Sequence, residues 1–539
     1  MKKIFFNGKI ITMNNKEPMV EAVLIDDEKI VKIGSKEEIL NEKDENTELI
    51  DLDGKTMLPG FIDSHSHIVA VAQTLMIVNL SEANSKEEFI QMLKDSLKNN
   101  PPKEGEWLIG FGYDNTRYEN EEHPTKFDLD LVSKEIPIFV SHASGHIATT
   151  NSKALEAFGY VGESYEVPEG GVVRTVEGSN EPNGVLEENA CLSPEKRKCI
   201  PTPSMETLLS CIKKAQQIYA SYGLTTAQDA SIDEGLNQLL SFAAQKNELI
   251  IDIVGQAIQS TTLKLLKNEG TPKREYNKHY KLLGGKTWLD GSPQGKTAWL
   301  TKPYYEVPEG EDKDYCGYPT QDDEVVIDYF KSLIENNIQV NVHCNGDAAS
   351  DQFIRCYRKA LELTGNKMDL RPVMVHSQTV REDQLDDMKE LGIIATFFLD
   401  HIWFWGDYHY ESVLGPERAE RISPAKSALK RGINFTLHQD SPVKMPNQIL
   451  ALHNAVNRET QSGRVLGEDQ RLTVMEALKA LTINASYQYF EENEKGSIEI
   501  GKVADFVILD KNPLEIKISE IKDINVIETI KYGNVIYKR

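Results

Sequence analysis

The alternation of apolar and polar residues divides the chain into two strand-rich ends and a mixed middle. Residues 1–58 and the C-terminal tail consist of short apolar runs separated by turn-forming residues such as Asn7-Gly8 and Gly533-Asn534, a pattern typical of β-strands. The middle alternates apolar runs of strand length with longer helix-like stretches, which favours a parallel sheet. We therefore predict a small β-domain built from both termini, residues 1–58 and 490–539, around an α/β middle of residues 59–489.

Eight apolar runs in the middle are the predicted strands of that parallel sheet. They are Phe61–His65, Thr225–Asp229, Ile250–Ala257, Lys281–Asp290, Ile338–His343, Pro372–His376, Ile393–Phe397 and Ile433–His438. Eight strands with intervening helices is the count of a (β/α)₈ barrel of the TIM type.

A long gap separates the first two predicted strands. The stretch between His65 and Thr225 is far longer than an ordinary strand-to-helix loop. It contains a strand candidate of its own, Ile136–Ser141, and turns rich in glycine and proline. We predict an inserted subdomain, at about residues 70–210, over the mouth of the barrel.

Charge and cysteine content narrow the class of protein. The 60 basic and 84 acidic residues give a formal net charge of −24, which argues against nonspecific binding to nucleic acid or anionic lipid. The six cysteines form no CxxC pair and favour a reducing compartment. The first ten residues contain too few apolar residues for a signal-peptide core, and no apolar run reaches the length of a membrane span. We expect a cytoplasmic protein with a small-molecule substrate.

Ionisable residues stand at the carboxyl ends of five predicted strands, where barrel enzymes carry their active sites. They are His65 and His67, Lys286, His343, His376 and Asp440. His-x-His in a strand places both imidazoles on one face, because the side-chain period is two. One such histidine alone is more often an ordinary core or surface residue, but the joint placement predicts a metal site.

The nitrogen and oxygen donors of this set suit Zn²⁺, and also Fe²⁺, Mn²⁺ or Co²⁺. An open coordination position would lower the pKa of water toward neutrality. Asp440 would accept the proton of that water and pass it to a leaving nitrogen. The alternative for Asp440 is the N-cap of a helix beginning at the following Ser-Pro.

Lys286 carries two alternatives. Burial beside a cation lowers the pKa of a lysine, and the neutral amine can react with CO₂ to give a carbamate able to bridge two metal ions. Otherwise Lys286 is a barrel-interior lysine paired with an acid such as Asp290.

Seven segments, in this order along nearly the whole chain, resemble one family. Leu58–His67 resembles "PGFIDxHxH", His146–Leu155 "GHxxxxNSxAL", Gly184–Glu188 "GvLxE", Gly223–Asp229 "GiTsvqD", Lys286–Ala298 "K…DGS…TA", His343–Asp347 "HxxGD" and Gly496–Asp510 "GSIExGKxADfvvLD". The family is the amidohydrolase superfamily, in its amidohydrolase-3 branch of YtcJ-like and N-substituted formamide deformylase-like proteins. Val375 and Gln439 stand where the motifs usually have Glu and Ser.

The resemblance implies a β-sandwich from both termini and a barrel with a metal site. By motif position, His65, His67, His343 and His376 would be ligands, Lys286 the carboxylated lysine, and Asp440 the acid/base residue beside the metal. His146 would contact the substrate, with a structural hydrogen bond as its alternative. His438, His401 and His142 have no counterpart and are interpreted as bystanders, and Trp403 and Trp405 are candidates for a pocket lining.

The leading hypothesis is a metal-dependent amidohydrolase, using zinc as one or two ions, that hydrolyses a carbon–nitrogen bond other than a peptide bond in an amide or an N-formyl or N-acyl amine. The first alternative is a heterocycle deaminase of the same superfamily. The second is a metal-binding regulatory protein without turnover. A homodimer is compatible with the family, although no interface pattern stands out.

Overall fold

The computed structural model describes the chain except for residues 120, 121, 144, 146, 163, 170, 269–271, 309 and 367. The chain forms two compact units. The first comprises Met1–Val69 and Ala215–Arg539, and the second comprises Ala70–Lys214.

An eight-stranded parallel sheet is the centre of the first unit. Its strands, in chain order and in spatial order, are β1 Phe61–Ile62, β2 Leu224–Ile232, β3 Asp252–Ile258, β4 Tyr280–Trp288, β5 Gln339–Cys344, β6 Val373–His376, β7 Ile394–Phe397 and β8 Phe435–Leu437. Each strand pairs in parallel with the next. Each of the eight predicted runs therefore overlaps one observed strand, and the predicted α/β class with a parallel sheet is confirmed.

The sheet curls until its two edges meet. Ser64, just after β1, donates its hydroxyl to the carbonyl of Leu437 in β8 at 3.0 Å. Beyond the strands, the amide of His67 donates to the carbonyl of Ser441 at 2.8 Å. These bonds bring the chain that follows the first strand against the chain that follows the last.

Strand β1 is shorter than predicted. The run was expected to continue to His65, but the ladder ends at Ile62. The Asp63 carboxylate accepts the backbone N–H of His65 at 3.4 Å. Such an Asx-type turn competes with ladder pairing and redirects the chain.

Helices follow most of the parallel strands. Those of the first unit from β2 onward, including the π-helix His409–Val413 and two 3₁₀ segments, are Glu234–Gln245, Gln259–Lys267, Asp323–Glu335, Asp347–Thr364, Glu382–Leu391, Asp400–Tyr408, His409–Val413, Gly415–Ala419, Ala425–Lys430, Gln448–Asn457, Glu468–Gln470, Val474–Ala480, Ile483–Gln488 and Ile518–Asp523. Their apolar faces are buried, as Phe330 and Leu333 in Asp323–Glu335 are, and the ring of Phe330 contacts Phe353 of the next helix.

The two chain ends share a second sheet within the first unit. Its strands are Lys2–Ile11, Met19–Asp26, Lys29–Gly34, Glu48–Asp51, Thr56–Pro59, Phe506–Leu509, Val526–Lys531 and Asn534–Lys538, and the short helix Lys36–Leu40 lies among them in sequence. The join is the antiparallel pairing of Thr56–Pro59 with Phe506–Leu509. Phe5 and Phe506 contact edge to face, with ring centroids 5.4 Å apart, in the buried core of this sheet.

The second unit contains a six-stranded mixed sheet. Its strands, in spatial order, are Gly171–Thr175, Pro182–Glu188, Ile147–Thr150, Ile138–His142, Leu108–Tyr113 and Ile77–Asn79. Its helices are Lys86–Asn99, Asn115–Arg117, Lys126–Asp130, Ser152–Phe158, Asn189–Leu192 and Pro194–Arg197, while Ile68–Thr74 and Met205–Ser221 cross the boundaries between the units.

Candidate metal centre

The predicted ligands gather at the carboxyl edge of the parallel sheet. His343 is the penultimate residue of β5 and His376 is the last residue of β6. His65 and His67 follow β1, and Asp440 follows β8. Because the two edges of the sheet meet, residues from the first and the last strand become neighbours.

A carboxylate lies between two imidazoles on the β1–β8 side. The Nε2 atoms of His65 and His67 each lie 3.4 Å from Oδ1 of Asp440. His65, His376 and Asp440 each offer a ligand atom within 4.8 Å of the others, the arrangement required to hold one metal ion.

A second pair of imidazoles lies on the β5–β6 side. Nε2 of His376 is 3.0 Å from Nδ1 of His343, and the rings of His65 and His376 have centroids 5.4 Å apart. The four predicted histidines and Asp440 therefore form one connected cluster in the described part of the chain.

The spacing of the donor atoms fits a metal ion. Two ligand atoms about 2.0–2.1 Å from a tetrahedral ion lie roughly 3.3 Å apart. The separations between neighbouring donor atoms are 3.0 Å for His343 and His376 and 3.4 Å for each histidine beside Asp440. Four imidazoles and a carboxylate also match the ligand preference of zinc and related divalent ions.

Outer hydrogen bonds orient two of the imidazoles. Nδ1 of His65 is 2.9 Å from Oε1 of Gln228, and Nε2 of His343 is 3.0 Å from the carbonyl of Gly291. Each oxygen acceptor requires that the ring nitrogen facing it carries the proton. The lone pair of the other ring nitrogen is then directed at the cluster. Gln228 is held in turn by donation to the hydroxyl of Tyr489 at 3.2 Å.

Burial keeps the imidazoles of His65, His343 and His376 neutral. Burial, assisted by the nearby Lys286, lowers the pKa of His65 to about 3 and that of His343 to about 4. Burial also holds the pKa of His376 well below its ordinary value. Neutral imidazole is the form that binds a metal ion, so the cluster needs no deprotonation of these residues at neutral pH.

Asp440 is held as a carboxylate. Burial alone would raise its pKa, but the imidazoles of His65 and His67 beside its Oδ1 outweigh burial and place the pKa well below the ordinary value. The alternative role of Asp440 as a helix N-cap is wrong, since the next helix begins at Gln448 and is capped by Asn447. Asp440 itself lies in the left-handed region, with φ of 54°.

Lys286 lies in β4 and is buried, with 1% of its surface exposed. Burial lowers the pKa of its amine to about 7. Nζ has no hydrogen-bond partner among the described residues. The alternative pairing with Asp290 is wrong, because Asp290 instead accepts the backbone N–H groups of Trp299, Asn345 and Gly346.

Three further predictions concern residues around the cluster. His146, the predicted substrate contact, lies outside the described residues. Trp405 is half-buried, with its ring 5.8 Å from that of His401, whereas Trp403 contacts His453.

One residue interpreted as a bystander belongs to the cluster. The ring of His438 lies 5.1 Å from the rings of both His65 and His376. The signal for it was present in the sequence, since His438 is the last residue of the predicted strand Ile433–His438 and stands at the edge where the other ligands gather. It was missed because a lone histidine matches no motif.

Fold and cluster together define a class: an α/β protein with a curled parallel sheet and a candidate metal centre at the carboxyl edge. Comparison with known proteins makes the class specific. The sequence model of the amidohydrolase family matches residues 48–537. The chain therefore belongs to the amidohydrolase family, a family of metal-dependent hydrolases.

Individual relatives match this chain in sequence over nearly its full length. The chain is 26% identical to the YtcJ protein of Bacillus subtilis, with 100% of both chains covered. It is 25% identical to N-substituted formamide deformylase of Arthrobacter pascens, covering 99% of this chain and 98% of the relative. The crystal structure of an uncharacterized metal-dependent hydrolase from Pyrococcus horikoshii OT3 superposes with a TM-score of 0.75 at 26% identity, covering 96% of this chain and 99% of that one.

Helices long and apolar enough to cross a membrane are absent from the described residues.

Proposed function

We propose that the protein hydrolyses a carbon–nitrogen bond other than a peptide bond, in an amide or an N-formyl or N-acyl amine. The single observation that carries the proposal is the cluster of His65, His376 and Asp440, whose ligand atoms lie within 4.8 Å of one another. The similarity to an N-substituted formamide deformylase along 99% of this chain supports the choice of bond.

In this proposal His65, His67, His343, His376 and Asp440 would hold a divalent cation, with zinc as the first choice and one or two ions bound. Bound there, the cation would supply Lewis-acid activation of water and of the substrate carbonyl. His65 and His343 contribute by being neutral and by having ring orientations fixed through Gln228 and Gly291.

Asp440 is the proton carrier in the proposed reaction. Its carboxylate is ionised and lies at the centre of the cluster, so it can accept the proton of the attacking water. Donation of that proton to the nitrogen of the collapsing tetrahedral adduct lets the amine leave. The oxygen of water forms the new C–O bond in the tetrahedral adduct. The C–N bond then breaks as the carbonyl double bond re-forms, so one water is consumed for each bond cleaved.

Lys286 is proposed to carry a carbamate formed with CO₂. Its amine is buried, has no hydrogen-bond partner among the described residues, and has a pKa of about 7, so a substantial neutral fraction is available near neutral pH. The carbamate would add an oxygen donor to the cluster. His146 is proposed as a substrate contact from its motif position alone.

The terminal sheet is proposed as a β-sandwich domain of residues 1–58 and 490–539. Residues 59–489 would form the (β/α)₈ barrel, with about 70–210 as an inserted subdomain. A cytoplasmic location, a homodimeric state and the lack of a nucleic-acid partner remain predictions from the sequence.

A substrate panel tests the proposal. Zinc-loaded and metal-depleted protein would be incubated with N-formyl amines, N-acyl amines, dipeptides and amino-substituted heterocycles, and the carboxylic acid, amine and ammonia products measured. We expect a carboxylic acid and an amine in equal amounts from the acyl amines, only with metal present. Release of ammonia from the heterocycles alone would favour the deaminase, and metal-bound protein inactive across the panel would favour the regulatory alternative.

A further inference from the structure

His438 directly follows strand β8, and Asp440 stands two positions further along the chain. The side chain of His438 is buried, with 1% of its surface exposed. Its backbone N–H donates to the carbonyl of Phe397 on β7 at 3.1 Å, which ties this end of the chain to the sheet.

The ring of His438 is as close to the cluster as the predicted ligands are to each other. Its centroid lies 5.1 Å from that of His65 and 5.1 Å from that of His376. For comparison, the rings of His65 and His67 are 5.3 Å apart, and those of His65 and His376 are 5.4 Å apart. Imidazoles that share an ion must approach in this way, and His438 does so with two of them.

Neither ring nitrogen of His438 has a hydrogen-bond partner among the described residues, although both are buried. Leaving a buried polar group unsatisfied costs about 1–3 kcal/mol, so orphaned groups of this kind point to a partner that is not protein. The predicted ligands His65 and His343 differ in this respect, since each has an acceptor on the side away from the cluster.

We propose that His438 is an additional nitrogen donor to the cation, so that the centre offers five imidazoles rather than four. The inference rests on the proposed function in requiring that a cation is bound at all. A donor set so rich in nitrogen prefers Zn²⁺, Co²⁺ or Ni²⁺ to Mg²⁺ or Mn²⁺, which favour oxygen ligands. His438 thereby contributes to metal selection as well as to affinity.

Metal affinity of variants tests the inference. Zinc dissociation constants would be measured by competition with a chelating dye for the wild-type protein and for His438→Phe, which fills the same space without a nitrogen. We expect His438→Phe to weaken zinc binding at least about tenfold while magnesium binding is unchanged. His438→Gln, a second non-imidazole replacement, should weaken zinc binding similarly.

His401→Phe is the matched control. His401 is also buried, contacts Phe398 as His438 does, and has an unpartnered Nδ1, but its ring is 6.3 Å from that of His376. Its replacement should leave the zinc dissociation constant within about twofold of the wild-type value. Equal weakening by His401→Phe and His438→Phe would show a general packing effect and overturn the inference.

The remaining outcomes separate the two proposals. Unchanged zinc affinity in His438→Phe, with tight binding by the wild type, would overturn the role of His438 and leave the metal centre standing. Absence of zinc binding by the wild type would overturn the proposed function itself. Should the variants fail to fold, the zinc-loaded wild-type crystal decides: a His438 nitrogen about 2.0–2.1 Å from an ion supports the inference, and one beyond roughly 3 Å overturns it.

Discussion

The Nε2 atom of His65 and the Oδ1 atom of Asp440 lie 3.4 Å apart, although one residue follows the first strand of the parallel sheet and the other follows the last. The relationship exists because the sheet curls and its edges meet. The same closure is supported by the hydrogen bond from His67 to the carbonyl of Ser441. The candidate centre is therefore a product of the whole fold rather than of any local motif.

Replacing Asp440 by Asn should remove the proton carrier while keeping a side chain of the same shape. We expect the rate of hydrolysis to fall by about 10²–10⁴-fold, since that is the contribution of a positioned acid/base group. The measurement is kcat on the best acyl-amine substrate together with the metal content of each protein. Asp53→Asn, at a carboxylate that is 88% exposed, should have no effect. Near-normal turnover by metal-loaded Asp440→Asn would contradict the assigned role.

Lys286 should react with CO₂. Protein equilibrated with zinc and ¹³C-labelled bicarbonate should show a carbamate carbonyl in its ¹³C NMR spectrum, because the buried amine has a pKa of about 7. The signal should vanish in Lys286→Ala and persist in Lys29→Met, whose lysine is exposed. A wild-type spectrum without the signal would show that the cluster works with an unmodified lysine.

A buried ion network away from the centre should be essential for stability. The fully buried Asp252 carboxylate forms an ion pair with Lys495. It also accepts hydrogen bonds from Nζ of Lys531 at 2.6 Å and from Nδ1 of His279 at 2.8 Å. Asp252→Asn removes a carboxylate shared by two buried ammonium groups, which then keep only Glu491 at 3.2 Å from Lys495 and Asp505 at 2.7 Å from Lys531. The loss should lower the free energy of unfolding by about 3 kcal/mol. Urea unfolding measures the change. Glu42→Gln, at an exposed pair with Lys32, should leave the free energy of unfolding nearly unchanged; equal losses in the two variants would contradict the assignment.

The same network predicts a pH dependence. Burial opposes ionisation of Asp252, but Lys495 and Lys531 hold its pKa well below the ordinary value. A carboxyl group whose pKa is lower in the folded state stabilises that state at pH values above its unfolded pKa of about 3.9. This contribution is lost as the pH falls below that value. The stability difference between wild type and Asp252→Asn should therefore shrink as pH falls below about 4. A difference that widens on acidification would contradict this sign.

Much of the fold and of the candidate metal centre could be predicted from the sequence. Apolar runs indicate the strands, and the carboxyl ends of those strands indicate where the site lies. His343 and His376 were located in this way, since each terminates an apolar run that is a buried strand. The end of β1 was misjudged because the Asp63 carboxylate, a local hydrogen-bond effect, overrides the apolar pattern.

Contacts that depend on closure could not be predicted. The partners of the ligand imidazoles, such as Gln228 and Gly291, come from other strands and loops, and nothing in their local sequence indicates which histidine they meet. The predicted pairing of Lys286 with Asp290 was wrong because it, too, depends on contacts between distant parts of the chain. Sequence proximity suggested the pair, but three backbone N–H groups already occupy the Asp290 carboxylate.

The metal centre is tested by locating the ion with anomalous scattering from crystals of the zinc-loaded protein, recorded above and below the zinc edge. We expect a zinc peak bounded by His65, His376 and Asp440, with ligand distances of about 2.0–2.2 Å. A map without a zinc peak among these three residues, or a zinc ion bound elsewhere in the chain, would contradict the proposed metal centre.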